Sequence, residues 1–130
     1  MGLPPEPAPW RRRKPVVGNA YGAAIRVREV EPILSHERAR VPLKFGAVVM
    51  TDVTFCRVRV EVENRNGSVA DGWGGIFLAD FWAYPTPKVS HPDRDHCMRL
   101  VVERYAQVVR SLRDFGHPID LTLSIDAELD

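Results

Sequence analysis

Residues 48–63 carry the clearest pattern in the chain. Thr54, Cys56, Val58, Val60 and Val62 fall on one face, and Phe55, Arg57, Arg59, Glu61 and Glu63 on the other. A period of two with one apolar side predicts a strand with one buried and one wet face, as in antiparallel sheets. Asn64-Arg65-Asn66-Gly67 follows, and Asn66-Gly67 predicts a hairpin turn because both residues tolerate positive φ. The chain returns over 68–78, interrupted by Gly72, Gly74 and Gly75. Upstream, Ile25 and Val27 alternate with Arg26 and Arg28, predicting a first strand over 25–33. That alternation slips at Glu29-Val30, and Pro32 lies near its end, which suggests a bulge or an edge position. Residues 34–46 carry His36, Glu37, Arg38, Arg40, Lys44 and Pro42, and read as a long polar loop.

Residues 80–88 hold Phe81, Trp82, Tyr84, Pro85 and Pro87, an aromatic loop in which prolines forbid regular structure. A helix is expected over 92–115, capped by Ser90, with Pro92 in its first turn and Asp93 three residues after the cap. Met98, Val101, Tyr105, Val108, Leu112 and Phe115 recur at steps of three and four and make its apolar stripe. Gly116 and Pro118 are expected to stop it. Residues 119–130 read as a last strand or as a segment cut off from what it packs on. The fold class is therefore α+β: a three-stranded antiparallel meander followed by a long helix packed on one face.

Composition adds bounds. The chain has 130 residues, well short of the roughly 250 of a (β/α)8 barrel. Its net charge of +1 gives no reason to expect a polyanionic partner. Residues 1–22 form a Pro/Arg-rich tail in which Pro4, Pro5, Pro7 and Pro9 precede Arg11–Lys14. That basic run fits a localisation signal or a phosphate contact, and fits better a solvated, disordered tail. Prolines break any signal-peptide core, Glu6 stands where a myristoylation motif wants Ser or Thr, and no segment has 18 apolar residues in a row. A cytoplasmic, reducing setting is the default. Cys56 and Cys97 are expected as two buried apolar thiols rather than a disulfide framework.

Candidate chemistry is sparse. His91-Pro92-Asp93-Arg94-Asp95-His96-Cys97 is rich in potential ligands, and His91 and Asp95 share a helix face by spacing. A structural zinc would want a closed tetrahedral set, so a plain helix start is the expected reading and no metal is assigned. No nucleophile elbow, phosphate loop, CxxC or HExxH occurs. The aromatics from Trp73 to Tyr84 are not interleaved with Lys or Arg, which speaks against nucleic-acid stacking. Core packing and a loop covering an apolar pocket both fit them.

The run Val58-Arg59-Val60-Glu61-Val62-Glu63-Asn64-Arg65-Asn66-Gly67-Ser68-Val69-Ala70-Asp71-Gly72-Trp73-Gly74 resembles the hairpin of the mandelate racemase/muconate lactonizing enzyme branch of the enolase superfamily. Arg40–Gly46 resembles the loop between that domain's first two strands, and the later helix resembles the first of its helical half. The similarity spans about 25–117, so 23–118 is identified as an N-terminal capping domain and 119–130 as an extension toward an absent barrel. Many relatives carry Glu where this chain has Gly75.

The resemblance implies that two segments, 34–46 and 73–85, line a substrate pocket, with His36, Arg38, Arg40, Lys44, Phe45, Trp73, Phe81, Trp82 and Tyr84 as its residues. In such enzymes the barrel supplies the Mg²⁺ ligands and the bases of a racemase, cycloisomerase or dehydratase. This chain has only Lys14, Lys44 and Lys88 and no Lys-x-Lys, so no catalytic residue or cofactor is assigned to it and it is not expected to be an enzyme by itself. Its expected partner is a barrel, in the same protein or on a second chain, with self-association as a further expectation. The alternative is a stand-alone module for a small acid, with Arg38, Arg40 and Lys44 as counter-charges. Those three fit solvated loop charges somewhat better than contacts to a ligand.

Overall fold

The computed structural model describes residues 23–129, so the expected tail, with Arg11–Lys14, lies outside the described residues. Three strands, β1 (Ile25–Phe45), β2 (Val48–Asn64) and β3 (Val69–Phe77), form an antiparallel sheet in the order β1-β2-β3. A short helical turn α1 (Asp80–Ala83) and helices α2 (His91–Ser111) and α3 (Pro118–Leu129) follow. The fold is α+β, the meander and following helix stand as expected, and no barrel is present among the described residues.

The register explains both strand irregularities. Val27 pairs with Val62 and Glu29 with Glu61, so Arg28 is the extra residue of a bulge. Pro32 sits opposite Val58 and is tolerated because β1 is an edge strand. Gly67 takes φ +81° in the β2–β3 turn, and Asn66 does not. The Asn64 side chain replaces what a second left-handed residue would give. Its Oδ1 accepts from the backbone N–H groups of Asn66 and Ser68.

Residues 34–46 are not a loop. β1 runs through them to Phe45, turns at Gly46 (φ +59°) and pairs with β2 from Val48 onward. The register shift between Arg38/Asp52 and Leu43/Met50 absorbs Ala39–Pro42 as a wide bulge. The result is a two-stranded arm beyond the third strand, with no strand or long helix packed along it. Val41, Leu43, Val48 and Val49 are exposed along it. Polar residues alternate poorly here because neither face needs to be apolar throughout.

The expected stripe of α2 stands at Tyr105, Val108 and Leu112, which pack on the core, and is corrected at Val101. Val101 is 60% exposed, and the buried residues are Ala106, Val108 and Val109. They cluster with Val30 and Ile125, against which Val27, Val58, Val60, Tyr105 and Leu112 pack. The helix faces the sheet with Asp95, Arg99, Ala106 and Val109, a stripe polar in its first half and apolar in its second. The Arg110 guanidinium donates to the Val30 carbonyl at 3.1 and 3.2 Å, tying α2 to the edge strand.

α2 begins as expected, with Ser90 accepting from the Asp93 N–H, but ends at Ser111, before Leu112 and Phe115. The chain then crosses back to β1. Gly116 bonds both ways with Ile25, and Phe115 lies between the guanidinium groups of Arg26 and Arg65, 4.9 and 4.8 Å from its centroid. Pro118 therefore starts α3 instead of stopping α2. Residues 119–129 are not a strand and do not lack a packing partner, since Leu121 and Ile125 are buried within this chain. Cys56 is buried and Cys97, expected to be buried, is exposed. No helix among the described residues is long and apolar enough to cross a membrane.

Candidate functional site

Where the arm leaves the sheet, it forms one wall of an apolar groove of about 680 Å³. Leu43, Phe45, Met50, Val53 and Phe55 come from the hairpin, Phe77 from the end of β3, and Phe81 and Trp82 from α1. Phe45 joins the two walls. Its ring stacks on Phe81 at 5.6 Å and meets the edge of Trp82 at 5.9 Å. Trp82 nevertheless stays 69% exposed, so its ring works as a flap and not as core. Glu37 and Arg38 supply the polar part of the lining.

Of the residues expected at a pocket, Arg38, Phe45, Phe81 and Trp82 meet here. His36 lines a separate, smaller cleft, and Arg40, Lys44, Trp73 and Tyr84 line neither. Trp73 is opposite Arg59, further along the sheet than Phe55 and Phe77.

The smaller cleft, about 190 Å³, lies between His36, Asp52, Thr54, His91, Pro92 and Asp95. It overlies a polar network. Asp80, 2% exposed at the start of α1, accepts from Arg94 Nε at 2.6 Å, and His91 Nδ1 lies 3.1 Å from the same carboxylate oxygen. The other ring nitrogen of His91 lies 3.0 Å from Asp52 Oδ1 on β2. Arg94 also donates to the carbonyls of Thr86 and Val89, which fixes the proline-rich turn before α2. Beside this group, Thr54, 2% exposed, donates to Asp95 at 2.6 Å. Arg99 donates to both, at 2.7 Å to Asp95 and 2.8 Å to Thr54. Every buried side-chain polar atom among the described residues finds a partner.

These contacts set the charges. Burial opposes protonation of His91, but the contacts with Asp80 and Asp52 outweigh it and raise its pKa. Burial likewise opposes ionisation of Asp95. The hydrogen bonds from Thr54 and Arg99, with the charges of Arg99 and His91, outweigh it and lower the pKa. His91, Asp93, Arg94 and Asp95 of the ligand-rich segment 91–97 are thus engaged in ion pairs and a helix cap. Among the described residues no three His, Cys, Asp or Glu converge as a metal site. Asp52, Thr54 and Asp80 are not singled out by sequence, because their partners in this network lie 11 to 45 residues away.

No protein-family model matches the chain, and no curated protein or solved structure matches it either.

Proposed function

We propose that this domain is a substrate cap of the mandelate racemase/muconate lactonizing enzyme type, closing over a (β/α)8 barrel that carries the catalytic groups. One observation carries the reading. The segments 34–46 and 73–85, which the sequence resemblance assigns to a substrate pocket, contribute the facing walls of a single apolar groove. The order of elements, a meander followed by helices, is in keeping with it. So is the exposed aromatic flap, since an apolar rim is retained where a partner covers it.

The reading leaves Mg²⁺ and the proton-abstracting bases to the barrel. The described residues bring together no donor set for the ion, so the chain's own part is to exclude water and to position an apolar portion of the substrate. A stand-alone module for a small acid has one observation in its favour, Arg38 on the groove wall. Its other counter-charges, Arg40 and Lys44, do not line the groove.

Reading the gene downstream of codon 130 and its neighbours tests the first proposal. A frame encoding a barrel with Lys-x-Lys and three carboxylate ligands is expected. In the joined or co-expressed protein, replacing Phe45, Phe81 and Trp82 by Ser should lower kcat/KM by about tenfold or more, because binding energy far from the reacting centre is lost. Absence of such a frame, or an unchanged kcat/KM, would sink the proposal. Titration of the 130-residue chain with benzoate tests the alternative. Binding by the chain alone that Arg38→Gln abolishes would favour the module.

A further inference from the structure

We infer that His91 is a proton-dependent latch that holds the aromatic flap of the groove closed against the hairpin. The inference goes beyond the capping proposal and holds for whatever the groove takes up. It starts from one geometric fact. Each ring nitrogen of His91 lies within 3.1 Å of a carboxylate oxygen, and the two carboxylates belong to different walls. Asp52 is on β2, two residues from Met50 and next to Val53, both in the hairpin wall. Asp80 opens α1 and is followed directly by Phe81 and Trp82, the flap wall. A neutral imidazole has one N–H, and only the imidazolium can offer a proton to both partners.

Every element packed around the ring bears on this charge. β2 presents Asp52 and Thr54, α1 presents Asp80, and β1 presents His36 across the cleft. α2 itself carries Arg94, paired with Asp80, and Asp95, paired with Thr54 and Arg99. With His91 charged, one cation sits between two anions and draws the walls together. When the proton leaves, one of the two contacts loses its hydrogen, and a ring-nitrogen lone pair is left against a carboxylate oxygen. The bonds of Arg94 to Asp80 and of Arg99 to Thr54 do not depend on that proton, so the fold persists. The flap then keeps the Arg94 bond to Asp80, the Leu78 N–H bond to the Thr54 carbonyl and the Phe45 contacts with Phe81 and Trp82, but loses its tie through His91 to Asp52. The contacts with Asp80 and Asp52 raise the His91 pKa and so put this event above the ordinary imidazole value of about 6.5.

NMR titration of the full chain tests the latch. The His91 ring and the Trp82 indole N–H are expected to shift with one shared midpoint, above about 6.5. Asp52→Asn should move both midpoints down together. His91→Gln should abolish the Trp82 transition and leave its signal near the high-pH position, whereas His36→Gln should leave the coupled transition in place. A Trp82 signal that does not move across the His91 midpoint overturns the latch. So does one that still titrates in His91→Gln, or a His91 midpoint at or below 6.5. If His91→Gln does not fold, the shared midpoint and its displacement in Asp52→Asn decide the matter.

Discussion

Gly75 has no side chain because the Phe55 ring occupies the space one would need. A Cβ built there would lie 2.7 Å from Phe55 Cζ and 3.3 Å from Cε2. Phe55 in turn meets Phe77 at 4.9 Å on the groove side of the sheet. Gly75→Ala is therefore expected to cost about 1–3 kcal/mol by overpacking, read as a lower denaturation midpoint. In a Phe55→Leu background the same change should cost much less, and equal costs in both backgrounds would exclude the ring as the cause. Thr54 is the second sensitive position. Thr54→Val keeps the shape and strands Asp95 and Arg99 beside a methyl group, with an expected loss of about 1–3 kcal/mol in urea denaturation. The titrating residues give opposite pH dependences. His91, with its pKa raised on folding, contributes stability that is complete below about pH 6.5 and is lost as pH rises through the folded value. Asp95, with its pKa lowered, contributes stability above about pH 3.9 that is lost as pH falls through its folded value. Denaturation midpoints of the wild type and His91→Gln should converge on the alkaline side, and those of Asp95→Asn and the wild type on the acid side. The sequence shows that residues 91–97 are dense in such groups, but says nothing of their use. Asp52 and Asp80 are unremarkable until the fold brings them to the two sides of one ring.

At the scale of elements, the contrast between the two ends of the first hairpin matters most. From Val27 to Leu34 it is backed by α2, and from Ala39 to Met50 it stands free apart from the Phe45 contacts. Hydrogen exchange should separate the two, with amides of 53–62 slow and those of 39–50 faster by orders of magnitude. Equal protection along the hairpin would mean that the arm is covered in solution. The meander was legible from sequence because its central strand has a wet face and a dry face. The arm was not, since its apolar residues are divided between the groove and solvent, and period-two alternation is the imprint of a core on one side only. Helix α2 shows the same rule differently. A search for apolar residues finds Val101, which points to solvent, and passes over Asp95 and Arg99, which point to the sheet. Residues 119–130 read as a strand for want of a register, because Leu121, Leu123 and Ile125 suit a strand as well as the helix found over Pro118–Leu129. The crossing of Phe115-Gly116 to Ile25 decides between them.

For the whole molecule, the consequence is an uneven surface. One flank holds the ion-pair lattice of Arg26, Arg28 and Arg59 with Glu29, Glu61, Glu63 and Asp71. The groove end exposes Leu43, Phe77 and Trp82, and Val41 is exposed further along the arm. Covering three such side chains is worth roughly 4–8 kcal/mol, comparable with the stability of a small domain. The purified chain is therefore expected to associate in a concentration-dependent way in sedimentation experiments, and Val41→Lys with Trp82→Lys should shift it toward the monomer. A strictly monomeric wild type at high concentration would show that the patch needs no cover.

The two thiols differ in a way that makes the protein its own folding gauge. Cys97 is exposed, whereas Cys56 is buried on β2 with its pKa raised by desolvation. A maleimide should modify Cys97 at once and Cys56 only when the sheet comes apart. The ratio of singly to doubly labelled chains, read by mass spectrometry, then records how often each molecule has opened. It would do so in a crude extract, without purification or denaturant.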